Sequence, residues 1–158
     1  MADLESLELN LRRARLEDVS EILRLLYEDE LGAKREVFVS PVPQSYLDAF
    51  ALIDQDPRTE LIVAELRGQI VGTLQMTFIQ GLSFQGAKVA QVESVRISEN
   101  LRGKGLGQIM MKWAFERARK AGCFRIQLST NKIRKDAHRF YERLGFSASH
   151  LGMKLEFQ

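Results

Sequence analysis

The chain has 158 residues, 45% hydrophobic and 28% charged, a size and composition that fit one domain, residues 1–158, around one buried core. With 23 Lys and Arg against 21 Asp and Glu the formal charge is only +2, which argues against nucleic acid as a partner. The single cysteine, Cys123, excludes an internal disulfide framework, and nothing beside it in sequence marks an activated thiol. No run approaches the ~20 apolar residues that span a bilayer, and Met1–Glu8 is acidic where a secretory signal is basic, so no membrane association and a cytoplasmic location are expected.

Leu9–Arg15 reads as a first strand, its cluster Leu11, Arg12, Arg13, Ala14, Arg15 suiting a solvent-facing edge. From Asp18 the period changes. Val19, Ile22, Leu23 and Leu26 stand at helical spacing, Asp18 and Glu21 form a capping box, and Gly32 can end the helix. Glu36–Val42 is a connector bearing Pro41, with Pro43 just beyond, and a second helix is predicted over Gln44–Ile53 before Asp56 and Pro57. Leu61–Leu66 and Ile70–Ile79 flank the Arg67-Gly68 turn as a hairpin, and Gly81–Gly86 returns the chain through a long strand, Ala87–Ile97.

A helix after Gly107 runs to Ala121 with Leu106, Met110, Trp113, Ala114 and Ala118 inward, and Gly122 stops it. Phe124–Leu128 then reads as a buried strand, Asp136–Leu144 as a short helix ended by Gly145, and Phe146–Phe157 as two closing strands. The order is mixed α/β, with a strand, crossover helix and strand in the second half.

The chemically informative stretch is Arg102, Gly103, Lys104, Gly105, Leu106, Gly107, placed between the strand ending at Ile97 and the helix. Alternate glycines clear side chains from a turn, so backbone N–H groups can converge on an anion, and the helix adds unpaired N–H groups and the positive end of its dipole. Arg102 and Lys104 supply cationic charge at the rim. Gly103-Lys104-Gly105 is followed by Leu106, which excludes a Walker A loop, and Gly107 comes too soon after Gly105 for a dinucleotide fingerprint.

Arg102-x-x-Gly105-x-Gly107 after a strand, with Phe140-Tyr141-Glu142-Arg143-Leu144-Gly145-Phe146 downstream, resembles the GNAT superfamily of acyl-CoA-dependent N-acetyltransferases. Within it, Leu128-Ser129-Thr130-Asn131, Asp136-Ala137-His138-Arg139-Phe140-Tyr141 and Ser149-His150 look like small-amine enzymes of the aminoalkylphosphonate type. The resemblance implies a twisted mixed sheet of about seven strands, splayed between the fourth and fifth, here Ala87–Ile97 and Phe124–Leu128. It also implies acetyl-CoA as acyl donor, held by the backbones of Val95, Arg96 and Ile97, with Gly103, Lys104, Gly105, Leu106, Gly107 and Gln108 around its diphosphate. Asn131 resembles the family's pantetheine-binding asparagine, with Arg134 and Asp136 as alternatives for that place.

Acetyl transfer from a thioester needs a neutral amine, stabilisation of a developing oxyanion, and a proton for the departing thiolate. Backbone N–H groups near Val95 can serve the oxyanion. Glu93 resembles the family carboxylate that deprotonates the ammonium, and its neighbours Val92 and Val95 predict partial burial and a raised pKa. Tyr141 resembles the general acid, and His138, one helical turn earlier, is a second candidate for base or substrate contact. With two histidines and no acidic cluster at ligand spacing, no metal is expected. Tyr27, Glu28, Asp29 and Glu30 could offer negative charge to the acceptor.

The leading expectation is an enzyme acetylating a primary amine of a small molecule by direct attack. A protein N-terminus or lysine as acceptor, and a non-catalytic acyl-CoA sensor, are the alternatives. Homodimerisation is expected from the resemblance and from apolar Phe38, Val39, Leu82 and Phe84 in loops.

Overall fold

The computed structural model describes residues 9–157, so Met1–Glu8, read above as unlike a secretory signal, lie outside the described residues. In chain order the elements are β1 (Leu9–Arg13), α1 (Val19–Tyr27), α2 (Glu30–Ala33), α3 (Gln44–Gln55), β2 (Thr59–Leu66), β3 (Gln69–Gln80), the four-residue turn α4 (Ser83–Gly86), β4 (Lys88–Ile97), α5 (Leu106–Lys120), β5 (Cys123–Leu128) and α6 (Lys135–Arg143). The strands form one mixed sheet in the order β1-β2-β3-β4-β5. Neighbours are antiparallel except β4 and β5, which run parallel because α5 carries the chain across one face between them. Among the described residues no helix is long and apolar enough to cross a membrane.

Two apolar layers flank this sheet. On one face Met110, Met111 and Ala114 of α5 pack against Leu74, Met76 and Val92. On the other, Ile22, Leu23 and Leu25 of α1 and Phe50 of α3 pack against Val63 and Ile70. The helical spacing in α1 and α5 therefore found its layers, although on α5 Met111 is buried and Trp113 only partly so.

The expectation of about seven strands is not met. Five form among the described residues, and Phe146–Phe157 makes no ladder. The period-two pattern is present, but Leu151, Met153, Leu155 and Phe157 are 82%, 94%, 79% and 90% exposed. An alternating run becomes a strand only when another strand satisfies its backbone, and nothing described pairs with this one. β5 is consequently an edge strand, not the buried strand expected, and Phe124 is half exposed.

The start of α1 also differs. Asp18 does not cap it with Glu21; the helix continues from a single 3-10 turn, Leu16–Asp18. The buried Asp18 carboxylate instead accepts from Arg12 Nη1 at 2.7 Å, Arg12 Nη2 at 3.0 Å and the Arg15 N–H at 2.7 Å. Arg12 also reaches Glu65 on β2 at 2.8 Å, so one guanidinium ties β1, β2 and the entry to α1, and Arg12 is not a free edge charge. Burial alone would raise the Asp18 pKa, but Arg12 and the Arg15 amide outweigh it and hold it below the ordinary value.

Since that folded pKa is depressed, the stabilisation exists above the unfolded carboxylate range and is lost as pH falls through the folded value. Asp18→Ala should therefore cost about 1–3 kcal/mol at pH 7 by urea denaturation, since the Arg15 N–H loses its acceptor while Arg12 keeps Glu65. The gap from wild type should narrow below about pH 4.

Candidate active site

The turn entering α5 has the geometry an anion requires. Gly103 and Gly105 adopt φ of 73° and 86°, a left-handed region that side chains resist, so both positions need glycine. Among the described residues no backbone acceptor takes the N–H of Gly105, Leu106 or Gly107, leaving these donors at the positive end of a fifteen-residue helix. Gln108 differs from the expectation in one respect, because its N–H is already given to the Gly105 carbonyl at 3.0 Å. Lys104 is exposed at the rim, and Arg102 donates from Nε to the Ile97 carbonyl at 3.2 Å, tying the turn to the end of β4. A Cβ on Gly107 would stand 3.2 Å from the Phe140 ring, so the turn packs tightly on α6.

β4 changes its pairing half-way. It is laddered to β5 from Lys88↔Cys123 to Val92↔Leu128, and beyond Val92 the residues Glu93–Ile97 have β3 on one side only. A bulge marks the change, with Ser94 at φ 54° and the register shifted opposite Thr73/Gln75. Val95, Arg96 and Ile97 thus border an open gap, in which the Val95 and Ile97 carbonyls each already accept one side-chain bond, from Arg96 and Arg102. On the sheet face away from α5, a cavity of about 110 Å³ lies between α1, α3 and the sheet, lined by Leu23, Leu26, Tyr46, Thr73, Gln75 and Ser94 among others.

Glu93 stands opposite Gln75 and beside Ser94, at the edge of that cavity. It is exposed, so the expected partial burial is absent: the bulge turns this part of β4 outward and its apolar neighbours do not cover it. Tyr141 on α6 is partly buried against Phe140 and Phe146, with ring centroids 5.1 and 5.6 Å away. Burial pushes its phenol pKa above the ordinary value against the opposing charges of Arg96 and Arg134, so it stays protonated at neutral pH. His138 places Nε2 2.9 Å from the Asn131 carbonyl oxygen, and the Asn131 side chain accepts from the Ile133 N–H at 3.1 Å; both brace the loop before α6.

The acidic run at the end of α1 is not a free negative patch. Glu28 pairs with Arg24 and accepts the Glu99 N–H at 3.1 Å, and Glu30 pairs with Lys34. Asp29 Oδ2 lies 3.1 Å from Arg96 Nε and 2.8 Å from Arg134 Nη2. Burial tends to raise the Asp29 pKa, but Arg134, the Gly32 N–H and Arg96 keep it below the ordinary range. Sequence reasoning missed this cluster, and Arg134 is engaged here instead of standing in for Asn131. Its members come from three distant elements, and no local spacing signals it.

The match to known proteins is consistent along the chain. Residues 18–146 match the model of the acetyltransferase (GNAT) family. The chain belongs to the GNAT family. It is 32% identical over 140 residues to an aminoalkylphosphonate N-acetyltransferase of Salmonella typhimurium, covering 89% of this chain and 86% of that protein. It is 27% identical over 141 residues to a glucosamine 6-phosphate N-acetyltransferase of Trypanosoma brucei brucei, covering 85% and 94%. Among solved structures, a protein of Bacillus halodurans C-125 described as a transcriptional regulator superposes with a TM-score of 0.92 at 46% identity, over 95% of this GNAT chain and 100% of that one.

Gly105→Ala should weaken acetyl-CoA binding about tenfold by calorimetry if the free N–H groups of this turn receive the cofactor's anion, because ~1–2 kcal/mol of left-handed strain falls on them. Thermal melting of the free protein should shift far less than for Asp18→Ala.

Proposed function

We propose that this chain is an N-acetyltransferase that moves the acetyl group of acetyl-CoA to a primary amine of a small molecule by direct attack. The observation that carries the reading is that the turn into α5 leaves its N–H groups unpaired, is tied by Arg102 to the open end of β4, and packs through Gly107 on Phe140, the neighbour of Tyr141 on α6. Acetyl-CoA supplies an activated thioester. Gly105, Leu106 and Gly107 bind its diphosphate through backbone N–H groups, and Val95, Arg96 and Ile97 hold the pantetheine arm along β4.

Glu93 accepts the ammonium proton of the acceptor, directly or through water, which its exposure permits. Backbone N–H groups at the bulge favour the charge that grows on the carbonyl oxygen. Tyr141 donates its phenolic proton to the departing sulfur, and its raised pKa keeps that proton available. His138, held on the Asn131 carbonyl, positions the loop that carries α6. Both relatives named above acetylate small amines by their descriptions, which supports a small acceptor.

Tyr141→Phe should lower turnover about tenfold or more with acetyl-CoA affinity nearly intact. Steady-state thiol release and calorimetry check this together, and full turnover would remove Tyr141 from the mechanism.

The quaternary reading is a homodimer. Besides Phe38, Val39, Leu82 and Phe84, the chain exposes the alternating run Leu151, Met153, Leu155 and Phe157, and β5 leaves one edge unpaired. Light scattering should give about twice the 18.1 kDa chain mass at micromolar concentration; a strict monomer overturns it.

A further inference from the structure

The cavity on the sheet face away from α5 has an apolar body and one polar end. Leu23 and Leu26 of α1, Phe50 and Ile53 of α3 and Leu61 of β2 form much of its wall. Polar side chains reach it from Tyr46, Thr73, Gln75 and Ser94, and the first two are already committed. Thr73 Oγ1 donates to the Ile62 carbonyl at 2.9 Å, while the Tyr46 hydroxyl donates to the Glu36 carboxylate at 3.2 Å and accepts the Val37 N–H at 2.9 Å. Gln75 and Ser94 remain, both where β3 meets the bulge of β4. Among the described residues none that lines the cavity is charged.

A void with such walls is costly to leave empty. Side chains that face it lose the contacts a packed interior supplies, and here the space is about 110 Å³. Water offsets little of this, because a water molecule needs two or more polar partners and only the bulge end has any to offer. An apolar group fills it without that demand. A cavity of about 150 Å³ walled by Leu, Ile and Phe admits benzene, so by proportion this one suits a branched chain of roughly four carbons. The space is also accessible. Ala49 on α3 and Ser94 on the bulge line it and are exposed, so it opens beside Glu93, which precedes Ser94 and stands opposite Gln75 on the same sheet face. A carboxylate at the opening with hydrocarbon beyond it is complementary to an ammonium that carries an apolar tail.

We infer that this cavity is a subsite for an apolar substituent of the acceptor, so that the substrate is a primary amine on a short, branched aliphatic chain. This rests on the acetyltransferase reading and deepens it. The amine sits at the bulge with Glu93, and its chain passes Gln75 and Ser94 to lie against Leu23, Leu26 and Phe50. An anionic substituent is disfavoured there, since its charge would be buried among these walls with no cation to meet it.

The test compares kcat/KM by thiol release for methylamine, isopentylamine, 2-phenylethylamine and 2-aminoethylphosphonate in wild type, Ala49→Leu and Leu26→Ala. Calorimetry of isopentylamine at two temperatures runs alongside. Methylamine and isopentylamine have nearly equal basicity, so their ratio reads the chain alone. Wild type should favour isopentylamine by about tenfold to a hundredfold, the range for moving a few methylenes from water into an apolar pocket. Ala49→Leu adds carbons to the cavity from an exposed helical position and should cut that ratio about tenfold. Leu26→Ala enlarges the cavity and should raise 2-phenylethylamine severalfold relative to isopentylamine. A flat ratio in wild type, ratios that neither variant moves, or a preference for 2-aminoethylphosphonate over isopentylamine overturns the subsite while leaving acetyl transfer standing. Absence of turnover with every amine counts against the acetyltransferase reading. In that case isopentylamine binding with a negative heat-capacity change that Ala49→Leu weakens still supports the subsite, and absence of heat at both temperatures overturns it.

Discussion

β4 cannot satisfy both edges along its whole length, and the rest of the site follows from that. Up to Val92 it has a partner on each side; past the bulge at Ser94 it has only β3. Unpaired backbone polar groups are tolerable where water or a ligand reaches them. Here they border a gap beside a helix N-terminus that also carries free donors, so two backbone deficits lie along one path suited to an extended, anionic ligand. Past the bulge Glu93 is exposed opposite Gln75 and Arg96 stands opposite Thr73, three residues on.

The two layers around the sheet divide the work. α5 is anchored by buried Met110, Met111 and Ala114, which fixes the glycine turn at its start, and Gly107 lets α6 approach so closely that Phe140 packs on the first turn of α5. A displacement of the turn therefore moves Tyr141 as well. On the opposite face α1 and α3 enclose the cavity, and the Arg12–Asp18 pair fixes where α1 begins. The glycine turn and the cavity thus depend on different layers, which meet at the sheet.

Much of this was legible locally. Helical spacing of Val19, Ile22 and Leu23, the hairpin about Arg67-Gly68, and the alternate glycines from Gly103 to Gly107 each encode their own conformation within a few residues. The misses share a different cause. Phe146–Phe157 has the alternation of a strand but no ladder, since pairing depends on another segment. Burial of Glu93 was read from Val92 and Val95, whereas the bulge decides it. The acidic stretch at the end of α1 reads as a negative patch until Arg134, 105 positions away, is folded onto Asp29.

That last contact bears on why an arginine is buried at position 96 at all. A guanidinium removed from water and only half matched by a shared carboxylate is a net cost to the folded state. An apolar residue of similar size opposite Thr73 would serve packing alone without that cost.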